Sequence, residues 1–203
     1  MALAFLRGPW VIAFALAGFV ISAGYAAPPL RLKARGLGEP GVFLVWGPLM
    51  VGGTYYAAVG RLPWHVVADT IPYALLCTAV LMGKHLDKVP WDEPRHVATI
   101  PVLLGERRGR IVTQAMMAGF YLSLIGLAAS GAISPWALVA LLGVTRLVRV
   151  WKVFSRPKPD GPPPEYPDYP VWPLWFTAAA FVHARRAGAL FVLGLVLAAV
   201  LPG

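Results

Sequence analysis

Long uncharged stretches of apolar residues are the feature that most constrains this 203-residue chain. Residues 41–60 and 111–133 contain no charged side chain, and each is long enough to cross a bilayer as a helix, which takes about 20 residues. Charged residues make up 13% of the chain, against about 25% in a typical soluble domain. The sequence therefore predicts one all-α domain over residues 1–203, a polytopic membrane helix bundle.

About six transmembrane helices are predicted from the apolar pattern. The predicted spans are residues 8–30, 41–60, 65–83, 111–133, 135–154 and 187–201. His183, Arg185 and Arg186 interrupt the last apolar stretch, so residues 172–182 are predicted to be a separate interfacial piece. Because proline fixes φ and lacks an amide donor, residues 157–173 are predicted to be an extended, Pro-rich cytoplasmic connector.

Lys and Arg residues concentrate in alternate loops. Residues 31–35, 84–110 and 146–186 are rich in them, whereas the loops around Arg61 and Ser134 are poor. Cytoplasmic loops carry the excess of Lys and Arg, which predicts an integral protein of a bacterial inner membrane with both termini outside. This topology also explains the net charge of +9 without a nucleic-acid partner.

The first apolar stretch allows a second interpretation. Arg7, an apolar run and small residues at 23–27 are also the pattern of a signal peptide. Removing that segment would leave the first basic loop on the wrong side of the membrane. A first span is therefore the favoured interpretation.

Two carboxylates lie where the third predicted span ends. Asp87 and Asp92 would be about 140° apart on a continuous helix, but Pro90 is expected to end or kink that helix. An unwound loop could bring both acids to one ion, and such oxygen ligands suit Mg²⁺ bound together with substrate phosphates. The neighbouring cations Lys84, Lys88 and Arg95 would neutralise phosphate oxygens. A solvated loop in which these acids and bases merely pair is the simpler alternative.

The same region resembles a known family. Asp87-Lys88-x-x-x-Asp92, followed by residues 98–105 (ATIPVLLG), resembles the second Asp-rich motif of the UbiA superfamily of intramembrane prenyltransferases. Residues 35–39 (RGLGE) and 53–56 (GTYY) resemble its menaquinone-pathway, dihydroxynaphthoate-prenylating branch. Tyr25, followed by Arg31 and Lys33, resembles the family's tyrosine and basic residues. The resemblance extends over roughly residues 25–110.

The resemblance implies a fold and an activity. Family members have nine helices, of which this chain would correspond to helices four to nine. The implied enzyme transfers a prenyl group from a polyprenyl diphosphate to an aromatic or other lipid-soluble acceptor, with Mg²⁺ as cofactor. Asp87 and Asp92 would be the catalytic metal ligands. The implied diphosphate-binding residues are Tyr25, Arg31, Lys33, Lys84, Lys88 and Arg95.

The chain departs from the family pattern in two ways. The first Asp-rich motif and its three helices are absent, and His85 and Lys88 stand where the menaquinone branch commonly has acids. Three explanations remain open: a second chain supplies the missing helices, the reading frame is a portion of a longer one, or the protein is a non-catalytic subunit or pseudoenzyme. A small transporter that uses Asp69 is a further alternative, because intramembrane acids are commonly functional.

Overall fold

Helices and their connections make up the described part of the chain, which in this computed structural model comprises residues 2–162 and 171–201. No strand occurs within those two ranges, and the predicted all-α membrane bundle is confirmed. The α-helices are α1 (Ala2–Arg7), α2 (Trp10–Gly24), α3 (Gly38–Leu44), α4 (Gly53–Val59), α5 (Trp64–Asp69), α6 (Ile71–Asp92), α7 (Ile100–Leu104), α8 (Glu106–Ala129), α9 (Val144–Phe154) and α10 (Trp175–Val200). A π-helical segment, Val45–Gly52, joins α3 to α4, and 3₁₀ segments occupy Leu32–Arg35, Glu93–Arg95 and Pro135–Gly143.

Four helical stretches are long and apolar enough to cross a membrane. They are Gly38–Val59, Trp64–Arg95, Glu106–Ala129 and Trp175–Val200. Helix α2 is apolar but has only 15 residues, and the fifth predicted span consists of a 3₁₀ segment followed by α9. The protein is an integral membrane protein, whereas the division into six spans stays a prediction.

The last apolar stretch is a single helix, so its predicted division between residues 182 and 187 is wrong. Helix α10 runs without interruption from Trp175 to Val200. His183 is buried inside the bundle, and its Nε2 lies at hydrogen-bond distance, 3.0 Å, from the Tyr121 hydroxyl. Arg185 and Arg186 lie on the exposed side. A buried polar group with a partner and two exposed cations do not require the helix to end.

Pro90 does not end α6, which continues to Asp92. This differs from the unwound loop that the sequence predicts. The last turns of α6 are held from two sides, because Asp87 accepts hydrogen bonds from α10 and Asp92 pairs with Lys33. Tertiary contacts of this kind override local propensity. The Pro-rich connector is described only in part: residues 157–162 and 171–173 are not helical, and residues 163–170 lie outside the described ranges.

The core lies between α6, α8, α10 and the segment from Pro135 to Phe154. Met117, Phe120 and Leu124 of α8 are completely buried there, and Leu76 and Leu86 of α6 pack in the same cluster. Helix α2 contrasts with these helices, because its large side chains, such as those of Trp10 and Phe19, are exposed. In the bundle, the C-terminal end of α6 thus lies between the first basic loop and the start of α10.

Candidate functional site

A cavity of about 480 Å³ lies against the C-terminal end of α6. Three cations and two carboxylates of one helical stretch line it, together with residues that precede α10. The lining residues are Lys84, Asp87, Lys88, Trp91, Asp92, Arg95, Pro173 and Leu174. Positions 84, 88, 91 and 95 recur at helical spacing and so share a face. This alignment exists because α6 continues through Pro90 instead of unwinding.

Asp87 holds the start of α10. Its Oδ1 accepts a hydrogen bond from the Phe176 backbone N–H at 3.0 Å, and its Oδ2 accepts from the Thr177 backbone N–H at 2.8 Å and from the Thr177 hydroxyl at 2.7 Å. Lys158 Nζ lies 3.4 Å from Asp87 Oδ1. The first N–H groups of a helix have no partner within the helix, and a carboxylate there also opposes the positive end of the helix dipole. Asp87 therefore caps the N-terminus of α10, although the two are far apart in the sequence.

Gly83 allows α10 to approach α6 closely enough for this cap. A Cβ atom at position 83 would lie 2.7 Å from the Phe176 carbonyl oxygen and 3.0 Å from its carbonyl carbon. Both atoms belong to backbone, which cannot rotate away as a flexible side chain could. Asp87 lies about one turn further along α6, level with the N–H groups that it binds.

Asp92 has a different partner from Asp87. Its Oδ1 accepts a hydrogen bond from Lys33 Nζ at 2.9 Å, which ties the end of α6 to the first basic loop. Its Oδ2 is buried and has no hydrogen-bond partner among the described residues. A buried oxygen without a partner is costly, and this one belongs to a residue that lines the cavity. Asp92 thus retains an acceptor for a ligand.

A buried network of side chains connects α3, α6 and the end of α2. Glu39 Oε1 lies 2.7 Å from His85 Nδ1, and it also accepts a hydrogen bond from the Ile100 backbone N–H at 3.0 Å. The Tyr25 hydroxyl lies 2.9 Å from His85 Nε2. The side chains of Glu39 and His85 are almost completely buried, whereas Tyr25 is partly exposed.

The structure brings most of the predicted site residues together. Lys84, Lys88 and Arg95 line the cavity, and Lys33 reaches it through Asp92. Arg31 is exposed in the loop before the 3₁₀ segment Leu32–Arg35. Because Lys33 and Lys158 offset the two carboxylates, the three lining cations leave the cavity with a net positive charge. The cavity is electrostatically suited to an anion such as a diphosphate.

The predicted shared metal site requires both carboxylates. Asp92 Oδ2 fits as one oxygen ligand, since it is buried beside the cavity without a partner. Asp87 would first have to exchange the hydrogen bonds that now cap α10. Within residues 2–162 and 171–201, no group of three or more His, Cys, Asp and Glu side chains could hold a metal ion. Mg²⁺ commonly binds one or two carboxylates plus substrate phosphates, so the donor set fits an ion that arrives with its substrate. Binding of one ion by both acids stays a prediction.

Comparison with known proteins identifies the class of this membrane bundle. Residues 1–166 match the UbiA prenyltransferase family, and the chain belongs to this family. It is 30% identical over 154 residues to 1,4-dihydroxy-2-naphthoate octaprenyltransferase of Mycobacterium tuberculosis (strain ATCC 25618 / H37Rv), which covers 73% of this chain and 50% of the relative. The protein of the same name from Bacillus subtilis (strain 168) is 25% identical over 145 residues, covering 71% and 47%.

A relative that is named for a different activity matches to a similar extent. The 2-carboxy-1,4-naphthoquinone phytyltransferase of Synechocystis sp. (strain ATCC 27184 / PCC 6803 / Kazusa) is 24% identical over 145 residues, covering 70% of this chain and 46% of the relative. The chain spans about half the length of these curated relatives. No solved structure matches it significantly. The family resemblance seen in the sequence is confirmed.

Sequence reasoning did not identify Glu39, His85, Lys158 and Thr177 as neighbours of the site. Glu39 belongs to the RGLGE segment, and an acid beside an apolar stretch is itself a signal of a buried partner. In the sequence, His85 stands out only as a departure from the family pattern. Lys158 and Thr177 gave no local signal, because they approach Asp87 only through the packing of α10 on α6.

Proposed function

We propose that the chain forms the diphosphate-binding part of an Mg²⁺-dependent prenyltransferase, which transfers a prenyl group from a polyprenyl diphosphate to an aromatic or other lipid-soluble acceptor. The observation that carries this proposal is the cavity at the C-terminal end of α6, which is lined by Lys84 and Lys88 of α6 and by Arg95 of the 3₁₀ segment that follows it. The names of the relatives support a prenyl donor and a naphthoate-like acceptor.

The first chemical step in this proposal is heterolysis of the allylic C–O bond. The electron pair leaves with the diphosphate, so negative charge grows on the departing group in the transition state. Fixed cations aimed at that charge stabilise the transition state more than the ground state. Lys84, Lys88 and Arg95 supply these cations.

Asp92 is the residue that we propose as a ligand of Mg²⁺. Its partnerless Oδ2 would hold the ion together with substrate phosphate oxygens. When bound, the ion would act as a Lewis acid on the diphosphate. Asp87 keeps its place at the start of α10 and maintains the wall of the cavity formed by Pro173 and Leu174.

The proposal also includes the side of the membrane on which the cavity lies and a second chain that packs against this one. The cavity lies among the basic loops, which the positive-inside rule assigns to the cytoplasmic face of a bacterial inner membrane. We further propose that a separate chain supplies helices that pack against the exposed apolar face of α2. Transfer by the purified chain alone, in liposomes without any partner, would contradict this last part.

The test measures prenyl transfer in membranes that contain the chain with its native partners. The probes are octaprenyl diphosphate and 1,4-dihydroxy-2-naphthoate, with Mg²⁺ or with EDTA. The double variant Lys84→Met and Lys88→Met should raise KM for the diphosphate and reduce kcat/KM by on the order of 10²-fold or more, because it removes two charge-assisted contacts.

A matched double variant controls for net charge. Arg107→Met and Arg108→Met remove the same charge from exposed positions outside the cavity lining and should leave transfer close to wild type. Transfer that persists in EDTA would contradict the role of Mg²⁺. Equal losses in the two double variants would contradict a specific diphosphate site.

One observation favours a second candidate function, a non-catalytic UbiA-like subunit. Both carboxylate oxygens of Asp87, the first acid of the Asp-rich motif, accept hydrogen bonds from the start of α10. This acid of the motif therefore has a structural role in the chain. A wild-type protein that binds no prenyl diphosphate analogue, even with its native partners and Mg²⁺, would decide for this alternative.

A further inference from the structure

Two adjacent arginines interrupt the apolar sequence of α10. Arg185 and Arg186 are the only Lys, Arg, Asp or Glu residues of this helix, and both side chains are exposed. Neither guanidinium has a hydrogen-bond or ion-pair partner among residues 2–162 and 171–201, and neither takes part in the proposed binding of the diphosphate. A cation inside a membrane-spanning helix is costly unless another group solvates or pairs with it.

The packing of α10 on α6 gives the depth of the two arginines. Before them, a Cβ atom at Gly83 of α6 would lie 2.7 Å from the Phe176 carbonyl oxygen. After them, a Cβ atom at Gly188 would lie 3.4 Å from Leu76 Cδ2. The arginines are therefore level with a part of α6 that belongs to its uncharged stretch, residues 71–83. The charged residues that line the cavity follow only beyond this stretch.

Too little of α10 remains to cross a bilayer if the two arginines are fully hydrated. The residues after them, Ala187–Val200, rise about 21 Å at about 1.5 Å per residue, whereas the hydrocarbon core is about 30 Å thick. The deficit is about 9 Å. Either the bilayer thins around α10, or polar groups reach the arginines below the surface. In both cases lipid headgroups approach the guanidinium groups.

The direction of the side chains agrees with such an approach. Side chains on an α-helix lean toward its N-terminus. The guanidinium groups of Arg185 and Arg186 therefore lean toward the start of α10, which is the end that adjoins the cavity. Long basic side chains that lean toward the nearer interface can reach the headgroup region while their methylene groups stay in the apolar layer.

Helix α9 lies beside α10 at the same level. A Cβ atom at Gly143, which precedes α9, would lie 3.4 Å from Ala187 Cα. At the other end of α9, the rings of Phe154 and Phe176 have their centroids 5.1 Å apart. Helix α9 thus runs antiparallel to α10, from just after the two arginines to the start of α10.

Helix α9 adds positive charge that has no nearby acid in the sequence. Its exposed face carries Arg149 and Lys152. No Asp or Glu occurs in residues 107–159 or 169–203, so neither α9 nor α10 contains an acid. This level of the bundle is therefore complementary in charge to an anionic ligand.

Apolar residues continue the exposed face of α10 beyond the arginines. Ala189, Val192 and Val196 follow Arg185 at intervals of three or four residues and are exposed, so they share a face with it. From Arg185 to Val196 the helix rises about 16 Å, which is about half the thickness of the hydrocarbon core. A water-soluble anion would leave this apolar face uncovered, whereas a phospholipid would cover the arginine and the apolar face together.

We propose that Arg185 and Arg186 bind the phosphate of an anionic phospholipid from the leaflet on the cavity side, with the acyl chains along Ala189, Val192 and Val196. Guanidinium groups donate paired hydrogen bonds to phosphate oxygens. A partner helix with an acidic side chain is the other occupant that the charge permits, but it would bury a second ion at the same depth. The site is separate from the cavity, and it does not depend on prenyl transfer.

The first test measures lipid selectivity. The full chain is reconstituted in phosphatidylcholine bilayers in about 1 M NaCl, where the Debye length of about 3 Å screens diffuse attraction. Spin-labelled phosphatidylglycerol and phosphatidylcholine with the same acyl chains report relative association constants through the motionally restricted part of their spectra. Wild type should prefer phosphatidylglycerol by on the order of 10-fold, since each cation near the surface contributes about a factor of five.

Two double variants with the same net charge separate a site from general attraction. Arg185→Met with Arg186→Met should abolish most of the preference, and it removes charge from an apolar helix without disturbing a buried contact. Arg107→Met with Arg108→Met removes the same charge from exposed positions near the start of α8 and should retain the preference. Absence of a preference in the wild type, or equal losses in the two double variants, overturns the proposal.

The second test identifies the occupant in native membranes. The photoreactive residue p-benzoylphenylalanine takes the place of Ala189, one turn beyond Arg185 on the same face. Illumination should give an adduct with the mass of a phospholipid, and this adduct should decrease when Arg185→Met and Arg186→Met are introduced. An adduct with another protein in place of the lipid would assign this face to a partner helix and overturn the proposal.

Discussion

Asp87 and Asp92 lie five residues apart on α6 and line the same cavity, yet their carboxylates do different things. Asp87 is 2% exposed and receives three hydrogen bonds from the start of α10. Asp92 pairs with one cation, Lys33, and keeps a second oxygen without a partner in the described part of the chain. Two acids of the same Asp-rich motif can therefore have different roles. Their hydrogen-bond partners separate a structural acid from one that remains available to a ligand.

The largest effect expected from this difference is on stability. Asp87→Ala removes the partner of the buried Phe176 N–H and of the partly buried Thr177 N–H and hydroxyl. A buried group left without a partner costs about 1–3 kcal/mol, and a partly buried one costs less. We expect the free energy of unfolding to fall by about 3 kcal/mol, measured by reversible unfolding in mixed micelles. Asp92→Ala should cost less than about 1 kcal/mol, because Lys33 is partly exposed and can be hydrated. Equal losses would show that the two acids do not differ as the structure indicates.

Gly83→Ala should disturb the Asp87 cap without touching the carboxylate. The new methyl group would lie 2.7 Å from the Phe176 carbonyl oxygen, so α10 must move away from α6. Overpacking of this kind costs about 1–3 kcal/mol, which exceeds the gain of about 1 kcal/mol in helix propensity. Gly126→Ala is the control, because nothing lies within 4 Å of a Cβ at that position of α8. A stabilised Gly83→Ala protein would contradict the close approach of the two helices.

Part of the fold and of the site can be predicted from the sequence. Apolar stretches and alternating basic loops predict the helical bundle, because both follow from the cost of placing charge and unpaired backbone in lipid. The cations Lys84, Lys88 and Arg95 line one cavity with Asp87 and Asp92, because all five are close in sequence, whereas their role in binding diphosphate stays a prediction.

The roles of the two acids could not be predicted in the same way. The cap on α10 joins residues 89 and 90 positions apart, and no local pattern carries that information. The expected end of α6 at Pro90 is wrong for a related reason. Helix propensity is a local property, whereas the contacts that hold the end of α6 come from Lys33 and Thr177, which are distant in sequence. His85 and Glu39 are likewise 46 positions apart.

The smallest effect expected concerns the third hydrogen bond of the Asp87 cap. Thr177→Val replaces the hydroxyl by a methyl group of similar shape but leaves the Thr177 backbone N–H, 2.8 Å from Asp87 Oδ2, in place. We expect a loss of about 1 kcal/mol in the free energy of unfolding. Thr145→Val removes only an exposed hydroxyl that donates to Leu142 within its own turn and should cost less. In the Asp87→Ala background, Thr177→Val should cost nothing further, because its partner is already gone. Full additivity of the two changes would mean that the hydroxyl stabilises the start of α10 through some contact other than Asp87.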